Sequence, residues 1–198
     1  NGTSYTFIVT TINTVGTGAS SSASNAVTPA TIPGAPTNVT ATAGNTQATV
    51  TWTAPTSTGG SAITGYTVTA SPGGQVVTVG GSTLTAMLTG LTNGTSYTFV
   101  VVAGNSVGAG TPSSASTAVT PATVPRAPTN VTATSGNTQA TVNWSAPSSA
   151  GGSPITSYTV TASPGGQTVT VGGSTLTATF TSLTNGTSYT FVVVAGNS

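Results

Sequence analysis

This sequence predicts an all-β fold of tandem antiparallel β-sandwiches, on three observations. Nearly the same ten residues, Asn93-Gly94-Thr95-Ser96-Tyr97-Thr98-Phe99-Val100-Val101-Val102, recur from Asn1 and from Asn185, so the period is 93 − 1 = 92 and 185 − 93 = 92. A period of that length is too long for a solenoid unit and suits whole domains in a row. Between these markers, short runs alternate apolar and polar residues with period two and are bounded by Gly, Pro and Asn, which is how half-buried antiparallel strands read. No run carries the 3.6-residue periodicity of a helix.

The 198 residues hold two periods and a remainder of 198 − 2 × 92 = 14, so the chain reads as a window on a longer array. Residues 1–29 are expected to be the last two strands of a truncated repeat, at about 5–11 and 25–28. Residues 33–121 form a complete repeat, and 125–198 a repeat lacking its last strand. Strands of the complete repeat are expected at about 37–43, 47–54, 64–71, 75–80, 84–90, 96–104 and 116–120. Pro29 to Pro36 carries three prolines and returns as Pro121 to Pro128. Proline lacks a ladder donor and fixes its own φ, so these segments read as short, stiff linkers. The longest apolar run, Phe99 to Ala103, falls far short of the roughly 20 residues that span a bilayer, so no membrane insertion is expected.

Charge is nearly absent. Arg126 is the single charged side chain, and Lys, Asp, Glu, His and Cys do not occur. General acid–base catalysis near neutral pH would have to rely on Tyr, whose pKa of about 10 is unsuited to it, so no enzyme is expected. A nucleophilic Ser or Thr has no adjacent base. Metal sites lack carboxylate, imidazole and thiolate ligands, so no metal or other cofactor is expected. Nucleic-acid binding rests on Lys and Arg against phosphate, and one Arg does not supply it. A chain of net charge +1 also lacks the repulsion that keeps soluble monomers apart, so self-association with identical chains or neighbouring repeats is the default expectation.

The residues also carry a resemblance. Ala35-Pro36 opens the first strand, Trp52 sits in the second, and Ile63 to Tyr66 lead the third. Leu91-Thr92-Asn93-Gly94-Thr95-Ser96-Tyr97 and Val101, Ala103, Asn105, Gly108 and Gly110 follow. Together these resemble a fibronectin type III domain of a bacterial-type surface or secreted protein. The resemblance implies a seven-stranded sandwich with Trp52, Tyr66, Leu91 and Tyr97 in the core, and Trp144, Tyr158, Leu183 and Tyr189 in the same places one period later. It also implies that Tyr97 is a corner tyrosine whose hydroxyl bonds to nearby backbone. Residues 33–106 and 125–198 differ at 12 of 74 positions, which suits an array grown by duplication better than a ligand-specialised domain. The family serves chiefly as spacer and interaction module, and an Arg-Gly-Asp adhesion tripeptide cannot occur in a chain without Asp.

Alternation assigns the faces. Val39, Ala41, Ala48, Val50, Trp52, Ala86 and Leu88 face inward, leaving Thr40, Thr42, Thr49, Thr51, Thr53, Thr85 and Thr89 as a threonine surface broken by Met87. On the other sheet Tyr97, Phe99, Val101 and Ala103 face inward and Val100 and Val102 outward, with Val192 and Val194 and, in the first partial repeat, Ile8 equivalent to them. Burying two Val side chains is worth roughly 1.5–2 kcal/mol each, which makes this row the candidate packing face. Scattered exposed Val is also ordinary on a sheet. The threonine surface reads as an uncharged, β-compatible hydrated face. It also reads as a glycosylated one, since Asn1, Asn38, Asn93, Asn130, Asn143 and Asn185 fit N-x-[ST]. Ice-lattice matching is a third reading, opposed by sheet twist.

The resulting expectation is a non-catalytic structural repeat of an extracellular or cell-surface fibre, stalk or sheath. The alternative is a spacer in a secreted polysaccharide-degrading enzyme or adhesin. A carbohydrate-binding module would need exposed aromatic platforms, whereas Trp52, Tyr66 and Tyr97 are expected in the core.

Overall fold

The computed structural model describes residues 1–198, which form β-strands and no helix. They divide into two compact units. One comprises Asn1–Thr42, Thr49–Leu88 and Tyr97–Val119, the other Ala43–Ala48, Thr89–Ser96 and Thr120–Ser198.

The complete sandwich has seven strands. β1 (Thr37–Gly44), β2 (Gln47–Thr53) and β5 (Thr85–Thr89) form one sheet in the order β1-β2-β5. β3 (Ile63–Ser71), β4 (Val76–Gly80), β6 (Thr98–Asn105) and β7 (Ala109–Pro112) form the other, in the order β4-β3-β6-β7. The β3–β6 register runs from Ser71 opposite Thr98 to Tyr66 opposite Ala103, with a bulge between Ile63 and Gly65. Every second side chain enters the core, so Ala48, Val50 and Trp52 on β2 meet Tyr66, Val68 and Ala70 on β3 and Phe99, Val101 and Ala103 on β6. The Trp52 and Tyr66 rings lie 5.3 Å apart at 56°, a tilted pairing that aromatic quadrupoles favour.

The seventh strand departs from the sequence expectation. The ladder lies at Ala109–Pro112, whereas the expected 116–120 is held only by a bridge between Tyr97 and Val119. The reason is chemical: Ser113 and Ser116 turn their hydroxyls inward and accept from the amides of Val101 (3.0 Å) and Phe99 (3.1 Å). The Ser113 and Ser116 amides donate back to the carbonyls of those same residues. A side chain thus replaces the backbone acceptor at alternate steps, and no regular ladder forms.

Residues 1–29 show the same substitution. The expected strands at 5–11 and 25–28 are reduced to bridges between Tyr5 and Val27 and between Ile12 and Thr17, with Ser21 and Ser24 hydroxyls accepting from Val9 and Phe7. Tyr5 and Phe7 are 50% and 60% exposed.

The second sandwich repeats the plan with β8 (Thr129–Gly136), β9 (Gln139–Ser145) and β12 (Thr177–Thr181) in one sheet. β10 (Ile155–Ser163), β11 (Thr168–Gly172) and β13 (Thr190–Asn197) make the other, ordered β11-β10-β13. Its core holds Trp144, Tyr158, Val160, Phe180 and Leu183, with Tyr189 and Phe191 packed against it but only partly buried. Tyr189 is thus less enclosed than Tyr97, its equivalent in the first sandwich, and than the core position expected of it.

Candidate interaction faces

The side chains that would carry chemistry are enclosed in hydrocarbon. Trp52, Tyr66, Leu91 and Tyr97 are buried, as are Trp144, Tyr158 and Leu183, so no aromatic platform faces solvent from these positions. Both tryptophan indole nitrogens are buried without a hydrogen-bond partner, a desolvation cost that the surrounding packing must offset. Burial also raises the Tyr66 phenol above its usual pKa of 10.0, because the low-polarity surroundings disfavour phenolate. At Tyr189, the equivalent of Tyr97 one period later, the hydroxyl accepts from the Thr184 amide at 3.2 Å, which is the kind of corner bond the resemblance implied for Tyr97.

The outward row of the second sheet differs between the sandwiches. Val192 and Val194 are 64% and 60% exposed, and Ile8 is 63% exposed. Val100 and Val102 are half-buried. Both pairs lie opposite threonines, Thr69 and Thr67 in one case and Thr161 and Thr159 in the other. β7 accounts for the difference, since Pro112 lies opposite Val102 on the free side of β6, and β13 has no such neighbour.

On the opposite sheet the threonines bond to one another across strands. Thr40 and Thr51 hydroxyls lie 2.8 Å apart and those of Thr141 and Thr179 3.4 Å apart. Each such pair satisfies hydroxyls that would otherwise need water, which favours a surface that is polar and ordered at once. Met87 interrupts it, 53% exposed.

The N-x-[ST] asparagines occupy different settings. Asn93 is engaged at both ends of its carboxamide, accepting from the Thr46 amide (2.8 Å) and donating to Asn45 Oδ1 (2.8 Å). Asn185 does the same with Thr138 and Asn137. Thr46 and Thr138 have φ of 54° and 55°, a left-handed conformation that is costly for a β-branched residue. The asparagine oxygen pins the amide that this conformation turns outward. Asn38 and Asn130, with φ of 52° and 53°, occupy the same region themselves, which Asn tolerates better than most residues. At Asn130 this coincides with a bulge between Thr129 and Thr132. Asn143 is exposed in mid-strand, opposite Thr132 and Thr177, and Asn1 is exposed at the amino terminus.

Sequence reasoning gave Asn105 a place in the family pattern but no task, and did not single out Ser113 and Ser116; the three are buried, 7%, 8% and 7% exposed. The serine pair had a signal: the spacing of three at 113 and 116 recurs at 21 and 24. A concavity of about 320 Å³ in the second sandwich is lined by Leu183, Tyr189 and Phe191 beside Ala133 and Ala140. No helix is long and apolar enough to cross a membrane.

A region 41% identical over 80 residues occurs in a Kelch domain-containing protein of Saccharolobus solfataricus, covering 40% of this chain and 11% of that protein. The chain therefore spans about a tenth of that relative. Among solved structures, the FN1–FN3 domains of chicken CNTN1 match 98% of this chain and 70% of their own at 23% identity and a TM-score of 0.41. Domains A168–A170 of titin match 46% of this chain and 32% of their own at 32% identity and a TM-score of 0.42. The profile of the fibronectin type III domain matches residues 34–119 and again 126–198. With both sandwiches matched along nearly their whole length, the chain belongs to the fibronectin type III family.

Proposed function

We propose that these repeats are non-catalytic structural modules of an extracellular or cell-surface fibre, stalk or sheath, associating with identical chains or neighbouring repeats through uncharged sheet faces. The observation that carries this reading is the apolar outward row of the second sheet, Val100 and Val102, half-buried in the complete sandwich and repeated as Val192 and Val194, in a chain whose only charged side chain is Arg126. Nothing electrostatic opposes the approach of two such faces, and each buried Val contributes about 1.5–2 kcal/mol. Fibronectin type III repeats are generally non-catalytic, and here the residue types that acid–base, nucleophilic and metal chemistry require are missing from the sequence. Glycans on exposed sites such as Asn143 are compatible with the same surface role.

Sedimentation velocity over a range of concentrations tests the reading. The parent chain is expected to sediment as concentration-dependent assemblies, and Val192→Lys with Val194→Lys to shift it toward monomer. A parent chain that stays monomeric at every concentration overturns the proposal.

A second reading, spacer modules within a longer secreted enzyme or adhesin, is favoured by the Saccharolobus solfataricus relative. The similar region is only 11% of a protein named for a different domain. Catalytic or binding sequence in the same polypeptide as these repeats supports it.

A further inference from the structure

The side-chain carboxamides of Asn105, which is buried, and Asn197, which is half-buried, are not part of any strand ladder, and what they hold is the connector ahead of each sandwich. Asn105 Nδ2 donates to the carbonyls of Thr31 and Thr58, both at 2.8 Å. Its Oδ1 accepts from the amides of Val107 and Gly108. Asn197 Nδ2 donates in the same way to Thr123 and Ala150, at 2.8 and 2.7 Å. The connector amides are engaged too, Thr31 donating to Gly59 and Thr123 to Gly151, each at 2.8 Å. On the other side, the Pro29 carbonyl accepts from Gly2 and that of Pro121 from Gly94, each at 2.9 Å. Between the two anchors lies one residue, Ala30 in the first connector and Ala122 in the second.

The donors on the two sides also meet. Asn1-Gly2 and Gly59-Gly60 belong to one compact unit, and Asn93-Gly94 and Gly151-Gly152 to the other. The spacing is the same in both, 60 − 2 = 58 and 152 − 94 = 58. A Cβ on Gly152 would lie 2.6 Å from the Gly94 nitrogen and 2.9 Å from Asn93 Cβ, and one on Gly60 would run into the Gly2 nitrogen. Only a glycine loop admits the turn this closely.

We propose that the Asn-Gly turn and the Gly-Gly loop 58 residues after it form a dedicated docking contact, and that with the asparagine clamp it turns each Pro-bounded connector into a locked joint. The surface on each side fits one partner, the backbone of the other motif, because both are uncharged and the Gly-Gly loop presents no side chain where they touch. Without the anchors, each connector residue would contribute two soft dihedrals. With them, only one alanine retains that freedom, so little entropy remains to be lost when repeats pack into a larger assembly. The inference does not depend on self-association and is tested in dilute solution.

The test is amide hydrogen exchange and 15N relaxation on the full chain, read at Ala122 and Thr123. In the parent, Thr123 is expected to be protected like the strand amides and Ala122 to relax like them. Gly152→Ala, which collides with Gly94, and Asn197→Ala, which removes the clamp, are each expected to speed Thr123 exchange about tenfold or more by local opening. Gly166→Ala is the control, since Gly166 also has positive φ (65°) but open space around it, and it should leave Thr123 unchanged. Free-peptide exchange at Thr123 in the parent overturns the proposal. So does an equal response to Gly152→Ala and Gly166→Ala.

Discussion

The two sandwiches are close to a controlled experiment. Over 74 aligned positions they differ at 12, yet Phe99 is fully buried and Phe191 only partly. Val39 and Ala41 are half-buried while Val131 and Ala133 are exposed. Neither pair differs in sequence between the copies. What differs is Ala109–Val119, which in the complete sandwich pairs with β6 through Pro112, Ser113, Ser116 and Val119. One irregular segment of small residues, five of its eleven Ser or Thr, therefore sets how deeply β6 and the strand facing it are buried in the complete sandwich. Its contribution is made mainly by what it excludes from water.

That comparison can be broken most sharply at the phenylalanines. Phe99→Ala should cost about 3–5 kcal/mol, as truncation of a fully enclosed aromatic does, and Phe191→Ala roughly half of that. Each sandwich has one tryptophan, so denaturant unfolding followed by Trp52 fluorescence in a Trp144→Phe background, and the reverse, reads the two separately. Equal losses would show that the segment does not set core depth.

Smaller effects are expected from the serines. Ser113→Ala and Ser116→Ala each leave a buried amide, of Val101 or Phe99, without its side-chain acceptor, at a cost of about 1–3 kcal/mol. Ser21→Ala and Ser24→Ala remove equivalent bonds that are exposed, and should change the same unfolding midpoint very little.

The outward valines come next. Val192→Lys and Val194→Lys should alter stability by no more than about 0.5 kcal/mol, as exposed substitutions do. Val100→Lys and Val102→Lys, half-buried beside β7, should cost more. The same unfolding curves distinguish these outcomes, and a larger loss at Val194 than at Val102 would reverse the argument from exposure.

The smallest effect is that of pH. With no carboxylate or histidine side chain, stability should be nearly flat from about pH 4 to 9. Above that range Tyr66 enters. Its folded pKa is raised by burial, so the stability linked to its neutral form is fully present below the unfolded pKa of about 10 and is lost as pH rises through the folded value. Tyr66→Phe should weaken that alkaline decline, and thermal melts in low and high salt should coincide because there are almost no charges to screen.

The strands were legible because alternation survives duplication. β2, β3 and β6 bury Ala48, Val50, Trp52, Tyr66, Phe99 and Val101 on the face that period two assigned to them. The last strand was misplaced because Ser-x-x-Ser reads as loop until its hydroxyls are seen to stand in for backbone carbonyls. The linkers read as spacers because proline stiffness is local. Their capture by Asn105 and Asn197 involves partners 74 and 47 residues away, a distance that no local pattern encodes. The Asn93 and Asn185 motifs matched the N-x-[ST] pattern, and the bonds to Thr46 and Thr138 give each a structural task.

The sequence by itself determined the module, its period, the inward and outward rows of each strand and the lack of charge, because these follow from residue chemistry and a two-residue repeat. Only the tertiary structure decided how deep each row is buried, which serines and asparagines act as backbone substitutes, and that each connector is held from both sides. Those properties depend on what lies across a sheet or a loop, and identical residues in the two sandwiches answer differently according to that neighbour.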